Sequence, residues 1–185
     1  MIEIINFRDE SLSLMIFLAN FAAIIYSNIQ IEDMKTKYSF ETLYVSPFTK
    51  RLGFDEKELK TIYVPMEQKR LRTGLDVVDL VVDKLIAGQD PLTLPWQLGM
   101  TEAVMSTTFR TLTGLTLVEF RTRWRMRVAS ELLRYTELPL KEVMSRICYT
   151  SQQSFSRMFR KAYGAAPREY RRICHEAGDA GKYAL

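Results

Sequence analysis

Two segments of this chain, fifty residues apart, follow the same pattern. MSTTFRTLTGLTLVEFR (105–121) and FSRMFRKAYGAAPREYR (155–171) both read Phe-Arg, three residues, Gly and, further on, Phe or Tyr before Arg. Self-similarity at a fixed interval indicates one supersecondary unit that is used twice. We therefore expect the C-terminal half of the chain to contain two related helical units.

The second copy of the pattern predicts a helix-turn-helix. A short helix within 139–146 is interrupted by ICYT, and Ser151 then provides an N-cap for a second helix that ends near residue 163. In that second helix, Phe155 and Phe159 lie one turn apart and should pack inward. Two short helices joined by a tight turn, the second with polar residues on its outer face, define this motif.

The outer face of the predicted second helix carries groups that can recognise DNA. Glutamine pairs bidentately with adenine, and arginine with guanine, in a major groove that admits a helix. We predict base contacts from Gln152, Gln153, Ser156 and Arg157, and phosphate contacts from Arg110, Arg121, Arg123, Arg160 and Lys161. The corresponding positions of the first unit are Ala103, Ser106 and Thr107. None of these three is a long donor, so we expect shape and phosphate contacts there.

The distribution of charge is consistent with this interpretation. Residues 102–172 hold fourteen basic and six acidic side chains, whereas residues 1–75 hold ten of each. The positive charge of the chain, +4 in total, therefore belongs to the half that carries the repeated pattern. A concentration of Lys and Arg in one region is what binding to phosphate requires.

The C-terminal hundred residues resemble the DNA-binding domain of AraC/XylS-type transcription regulators, in which a long helix joins two helix-turn-helix units. The second unit matches at Leu140, Val143, Tyr149, Ser151, Phe155, Arg157, Phe159, Gly164, Pro167, Tyr170 and Arg171. The joining helix matches at Phe120, Arg125, Ala129, Leu132 and Leu133, and the first unit at DPLTL (90–94), Gly99, Phe109, Gly114 and Leu117. The resemblance covers about residues 75–172 and implies a seven-helix-type fold that binds DNA.

Three positions depart from the family pattern. Cys148 stands in the turn where the family usually has Gly, which suits a positive φ, so either the turn is weakened or its backbone does not need that conformation. Met144 replaces a usual Ala where two helices approach closely. The first helix of the first unit is about one turn short, with Pro95 as its expected first residue. We expect the Cys148 thiol to be buried, and Trp96 and Trp124 to belong to the core.

Together with the patterns in the rest of the chain, the sequence predicts a mostly α fold with a small mixed α/β N-terminal segment. KYSFETLYV (37–45) and TIYVP (61–65) are predicted strands, and FDEKELK (54–60) is predicted to form one or two helical turns. Segments 75–88 and 116–136 are predicted helices, the second with Arg121, Arg123, Arg125 and Arg127 pointing outward. We divide the chain into a regulatory or dimerisation segment (1–65), a linker (66–74), the DNA-binding domain (75–173) and a tail (174–185) with a solvated His175.

Other classes of protein fit the sequence less well. The apolar run LSLMIFLANFAAIIY (12–26) is shorter than the about 20 residues that span a membrane, so we expect it to be buried, with a membrane anchor as the alternative. Two cysteines without a CxxC pair and a single histidine suggest no metal site, no cofactor and no His-based catalysis. An alkyltransferase fused to this kind of domain would need a reactive cysteine, and residues 1–75 contain none.

We therefore expect a cytoplasmic, non-enzymatic transcription regulator that binds double-stranded DNA and, on family grounds, activates transcription. RNA polymerase, a second copy of the chain, and a small-molecule or protein effector are further partners that the sequence leaves open. The alternative is a truncated family member that acts as a protein–protein modulator of full-length regulators. It arises because only about 65 residues precede the linker, whereas the family usually has a β-barrel of well over a hundred.

Overall fold

The computed structural model describes residues 38–68 and 70–185, which form eight helices and one small sheet. In chain order the elements are α1 (Phe40–Leu43), β1 (Lys50–Asp55), β2 (Lys60–Pro65), α2 (Asp76–Ile86), a 3₁₀ turn (Pro91–Thr93), α3 (Leu94–Gln97), α4 (Glu102–Thr113), α5 (Leu117–Tyr135), α6 (Leu140–Arg146), α7 (Gln152–Tyr163), α8 (Pro167–Glu176) and β3 (Tyr183–Ala184). The predicted fold class, mostly α with a small mixed N-terminal segment, is confirmed.

The described residues form two hydrophobic cores, and the long helix α5 contributes to both. A capping box begins it: the Thr116 hydroxyl accepts a hydrogen bond from the backbone N–H of Glu119, and the Glu119 carboxylate accepts one from the N–H of Thr116. The N-terminal half of α5 packs Phe120 and Trp124 against α2 and α4, while its C-terminal half packs Leu132 and Leu133 against α6 and α7. One continuous helix thus joins the two units.

The repeated sequence pattern corresponds to the same local structure twice. Helices α4 and α7 each contain 12 residues and begin after a hydroxyl N-cap, Thr101 in one and Ser151 in the other. Each ends at a left-handed glycine, Gly114 with φ 75° and Gly164 with φ 77°. The prediction of two related helical units is therefore confirmed.

The predicted strand over 37–45 is wrong across its described residues, 38–45. Ser39 accepts a hydrogen bond from the backbone N–H of Thr42 at 3.3 Å and so caps the one-turn helix α1. The aromatic alternation has a tertiary cause, because both rings pack on α5. The Phe40 ring lies 5.2 Å from that of Phe120, and the Tyr44 ring lies 4.9 Å from that of Trp124.

The predicted helical turns over 54–60 are also wrong, because this segment is the turn of a β-hairpin. The Asp55 carboxylate accepts hydrogen bonds from the backbone N–H groups of Lys57 at 2.9 Å and Glu58 at 3.3 Å, which closes the turn locally. The predicted strand over 61–65 is confirmed, since β2 pairs antiparallel with β1 along its whole length. Strand β3 pairs with the other edge of β1.

The last residues of the chain pack against the N-terminal segment. The Tyr63 hydroxyl donates a hydrogen bond to the Gly181 carbonyl at 2.6 Å, and the buried Asp179 accepts one from Arg134 at 2.7 Å. The expected solvation of His175 is wrong: its ring is half-buried at the end of α8, with Nε2 3.1 Å from the Leu133 carbonyl oxygen. Residues 174–185 thus belong to the folded body.

The apolar run at 12–26, together with its membrane-anchor alternative, lies outside the described residues. Across 38–68 and 70–185, no helix combines the length and the apolar character needed to cross a bilayer.

Candidate nucleic-acid interface

Helix α7 is held by one face and presents the other to solvent. Phe155 and Phe159 are fully buried, and the Phe159 ring packs edge-on against Tyr170 of α8 at 5.3 Å. The four residues predicted to contact bases lie in the N-terminal half of α7: Gln152, Gln153 and Arg157 are exposed, and Ser156 is partly exposed. The helix therefore projects polar groups of the predicted kind from a rigid support.

The exposed cations of α7 are free to bind an anion. Within the part of the chain that the structure describes, no ion pair or side-chain hydrogen bond engages Arg157, Arg160 or Lys161. By contrast, Arg146 and Arg172 on neighbouring helices pair with glutamates at 3.1 and 2.6 Å. Helix α7, which is predicted to enter the groove, therefore carries three cations without an ion-pair partner among the described residues.

The turn before α7 is held in a conformation that favours glycine. Cys148 has φ 56°, so the backbone does adopt the conformation that the family's usual glycine suits. The expected burial of this thiol is wrong, because Cys148 is exposed and its Sγ lies 2.9 Å from the Gly88 carbonyl oxygen. Gly88 follows α2, so this contact connects the two units.

The first unit has the shortened helix that the sequence predicted. Helix α3 is a single turn before Gly99, whose φ is 62°, and Pro95 is its second residue rather than its first. Of the positions expected to face DNA, Ala103 and Thr107 are exposed and Ser106 is partly exposed. Arg110, on the same helix, is exposed as well.

The two tryptophans have different surroundings. Trp124 is buried in the first core, as predicted. Trp96 is 90% exposed, so its assignment to the core is wrong. Because α3 has only four residues, its buried contacts come from Leu94 and Pro95, and Trp96 is left facing solvent.

The outward orientation predicted for the four arginines of α5 is wrong for two of them. The side chains of Arg121 and Arg125 are only 18% and 12% exposed. Asp90 holds both: its carboxylate accepts hydrogen bonds from Arg121 Nη1 at 3.0 and 2.7 Å and from Arg125 Nη2 at 3.2 Å. The phosphate contact that we predicted from Arg121 therefore starts from a guanidinium that already has a carboxylate partner.

Asp90 is a structural residue that sequence reasoning missed. Its carboxylate also accepts the backbone N–H of Leu92 at 3.1 Å and so caps the 3₁₀ turn of the first unit. Burial would raise the pKa of Asp90, but the hydrogen bonds from Leu92 and Arg121 outweigh it and leave that pKa below its usual value. The Asp-Pro pair in DPLTL signals the cap, yet nothing local signals the arginine partners.

Two further contacts of α5 arginines engage other parts of the fold. The Arg125 guanidinium lies 5.9 Å from the ring centroid of Tyr149, which connects the Asp90 cluster to the second unit. Arg123 Nη2 pairs with Glu41 at 2.9 Å, and the Arg123 guanidinium lies 4.5 Å from the Phe40 ring centroid. The N-terminal segment thus forms an ion pair with Arg123, which the sequence analysis predicted to contact phosphate.

The fold and the exposed face of α7 define a double helix-turn-helix protein. Residues 96–173 match the family described as a helix-turn-helix domain. The chain is similar to the regulatory protein SoxS of Salmonella typhimurium, 41% identical over 63 residues, which are 34% of this chain and 59% of SoxS. It is also similar to the F1 operon positive regulatory protein of Yersinia pestis, 33% identical over 75 residues, which are 40% of this chain and 25% of that protein.

A solved structure agrees with these relatives. The C-terminal domain of AraT, a response regulator from Geobacillus stearothermophilus, is 29% identical with a TM-score of 0.50, over 55% of this chain and 88% of that one. The C-terminal half of the protein is therefore similar to the double helix-turn-helix domain of AraC/XylS-type transcription regulators. The chain spans only about 59% of the length of SoxS and less of the F1 regulator.

Proposed function

We propose that this protein is a cytoplasmic, sequence-specific DNA-binding regulator that activates transcription and reads the major groove with α7. The observation that carries the proposal is the pairing of two faces on one helix. Buried Phe155 and Phe159 hold α7 in place, while Gln152, Gln153 and Arg157 extend from its N-terminal half without intramolecular partners among the described residues. The positive role comes from a relative that is itself named a positive regulatory protein.

The proposed contacts divide into two groups. Gln152, Gln153, Ser156 and Arg157 contact base edges, where glutamine and arginine form bidentate pairs. Arg110, Arg160 and Lys161 contact phosphates, because they are exposed and have no ion-pair partner among the described residues. We leave Arg121 and Arg123 out of this second group, since Asp90 and Glu41 neutralise them. The first unit contributes shape and phosphate contacts through α4.

The test compares Arg157→Ala with Arg160→Ala in gel shifts on a site selected from random DNA and on an unrelated duplex. Arg157→Ala should cost about 1–3 kcal/mol on the selected site and much less on the unrelated duplex. Arg160→Ala should weaken both equally and reduce the salt slope by about one. Equal losses for Arg157→Ala on the two duplexes would contradict base readout by α7.

One observation favours a second function, that of a modulator which pairs with full-length regulators. The first unit exposes Trp96 almost completely and Leu92 partly, and its recognition helix has no long donor among Ala103, Ser106 and Thr107. Exposed tryptophan is typical of protein contacts. If the protein has this function, it should bind DNA without sequence preference. It should also form a stable complex with a full-length relative, and Trp96→Ala should disrupt that complex. A Trp96→Ala variant that keeps every complex excludes it.

A further inference from the structure

We infer that a cavity at the joint between the two helix-turn-helix units binds a small anion with an apolar body. The cavity has a volume of about 570 Å³, within the range of small-molecule sites. Its walls come from the end of α2, the middle of α5, the end of α6 with the following turn, residues 45–47 and 49, Gln68 and Leu185. It therefore borders both units and the N-terminal segment at once.

The chemistry of the walls selects the ligand class. Trp124, Val128 and Ile147 supply apolar surface, while the guanidinium groups of Arg125 and Arg146 supply N–H donors. Among the described residues that line the cavity, no side chain is an aspartate or a glutamate, but the wall includes Leu185, which carries the terminal carboxylate of this chain. Each arginine uses one nitrogen for an acidic partner outside the cavity, Arg125 Nη2 for Asp90 and Arg146 Nε for Glu142, so further N–H donors remain. Guanidinium donors beside apolar surface suit a carboxylate or sulfonate attached to a hydrocarbon or aromatic body.

The position of the cavity couples it to the relation between the units. Gly88 and Cys148 form the 2.9 Å contact that joins α2 to the second turn, and both residues line the cavity. Arg125, also in the wall, connects Asp90 of the first unit to Tyr149 of the second. A ligand there contacts both sides of the joint, so a ligand that prefers one spacing of α4 and α7 shifts the chain towards that spacing. Its effect on DNA affinity rests on the proposed function.

The binding test adds 1-anilinonaphthalene-8-sulfonate to the full chain in the absence of DNA. The fluorescence of this ligand reports its binding. N-phenyl-1-naphthylamine, which has the same aromatic body but no sulfonate, is the control ligand. Arg146→Gln should weaken binding of the sulfonate about tenfold, the effect of losing one charge-assisted contact. Arg172→Gln is the matched control, because Arg172 is also exposed and paired with a glutamate four residues away, but does not line the cavity. It should change binding less than twofold.

A second measurement locates the ligand without relying on any arginine. In a Cys174→Ser background, the sulfonate should slow the reaction of the exposed Cys148 thiol with a thiol reagent several-fold. Equal affinity for Arg146→Gln and Arg172→Gln, equal binding of the neutral naphthylamine, or an unprotected Cys148 would each overturn the proposed site.

A gel shift at saturating sulfonate then tests the coupling. The apparent DNA affinity should change for the unmodified chain and stay constant for Arg146→Gln at the same ligand concentration. Ligand binding that leaves DNA affinity unchanged overturns the coupling. If the chain binds no DNA at all, the proposed function fails, whereas the fluorescence and thiol measurements still decide whether the cavity is a site.

Discussion

Replacing Asp90 tests whether one carboxylate joins the first unit to α5. Asp90→Ala removes the cap on the Leu92 N–H at 3.1 Å, two hydrogen bonds from Arg121 at 3.0 and 2.7 Å, and one from Arg125 at 3.2 Å. Because these arginine side chains are mostly buried, water replaces the lost carboxylate poorly. We therefore expect a large loss of stability from one surface-proximal residue.

The size of the loss follows from these contacts. Losing an N-cap costs about 1 kcal/mol, and losing hydrogen bonds to a charged group costs about 1.5–3 kcal/mol. Since the Asp90 side chain is itself 39% exposed, solvent screens the ion pairs, and the lower part of that range applies. Asp90→Ala should then lower the free energy of unfolding by about 2–3 kcal/mol. Asp90→Asn keeps the cap but not the charge and should cost about 1–2 kcal/mol.

Urea unfolding, followed by tryptophan fluorescence, which includes the buried Trp124, and by far-ultraviolet circular dichroism, measures these differences. The slope of unfolding free energy against urea should stay constant, so that the midpoint alone reports the change. An Asp90→Asn variant within about 0.5 kcal/mol of the unmodified chain would refute the reasoning, since a surface substitution without such partners has an effect of that size.

The same carboxylate predicts a dependence on pH. The folded-state pKa of Asp90 is lowered, so its stabilisation is complete above the unfolded value of about 3.9 and is lost as the pH falls through the folded pKa. The difference in unfolding free energy between the unmodified chain and Asp90→Ala should therefore shrink below about pH 4. A difference that is the same at pH 7 and in strong acid would contradict this assignment.

Three further substitutions test other parts of the fold by urea denaturation. Cys148→Gly should stabilise the protein by about 1 kcal/mol, because φ 56° disfavours any residue with a Cβ and the thiol that is lost is only a weak donor to the Gly88 carbonyl. A loss of stability would contradict strain in the turn. Gly164→Ala should destabilise it by about 1 kcal/mol, since φ is 77° although no atom crowds the added methyl group, and an unchanged midpoint would count against that backbone conformation. Phe48→Ala should cost about 3–5 kcal/mol, because the ring is buried between Tyr135 and Tyr183, and a small effect would show that the N-terminal segment is dispensable.

Most of the candidate interface could be predicted from local patterns. The N-cap at Ser151, the four-residue spacing of Phe155 and Phe159, and the glycine at 164 all act within one helix, and the structure has them as expected. The exposure of Gln152, Gln153 and Arg157 follows from the same helical period. Their contacts with DNA remain a prediction.

The errors concern residues whose environment comes from distant parts of the chain. Trp96 reads as a core residue by composition, but the short helix α3 has no room to bury it. The sequence of residues 37–45 predicts a strand because its aromatic residues alternate. Phe40 and Tyr44, which pack on α5, are four residues apart, and this spacing fits both a period of two and one helical turn.

What the sequence by itself determined is the pair of helix-turn-helix units, because caps, helical period and left-handed glycines operate over a few residues. Only the tertiary structure decided which arginines stay free. Asp90 lies 31 residues before Arg121, and Glu41 lies 82 before Arg123, so no local pattern connects them. The same holds for β1 and β3, which pair Lys50 with Ala184. Such partners meet only when burial of the two cores brings distant segments together on α5.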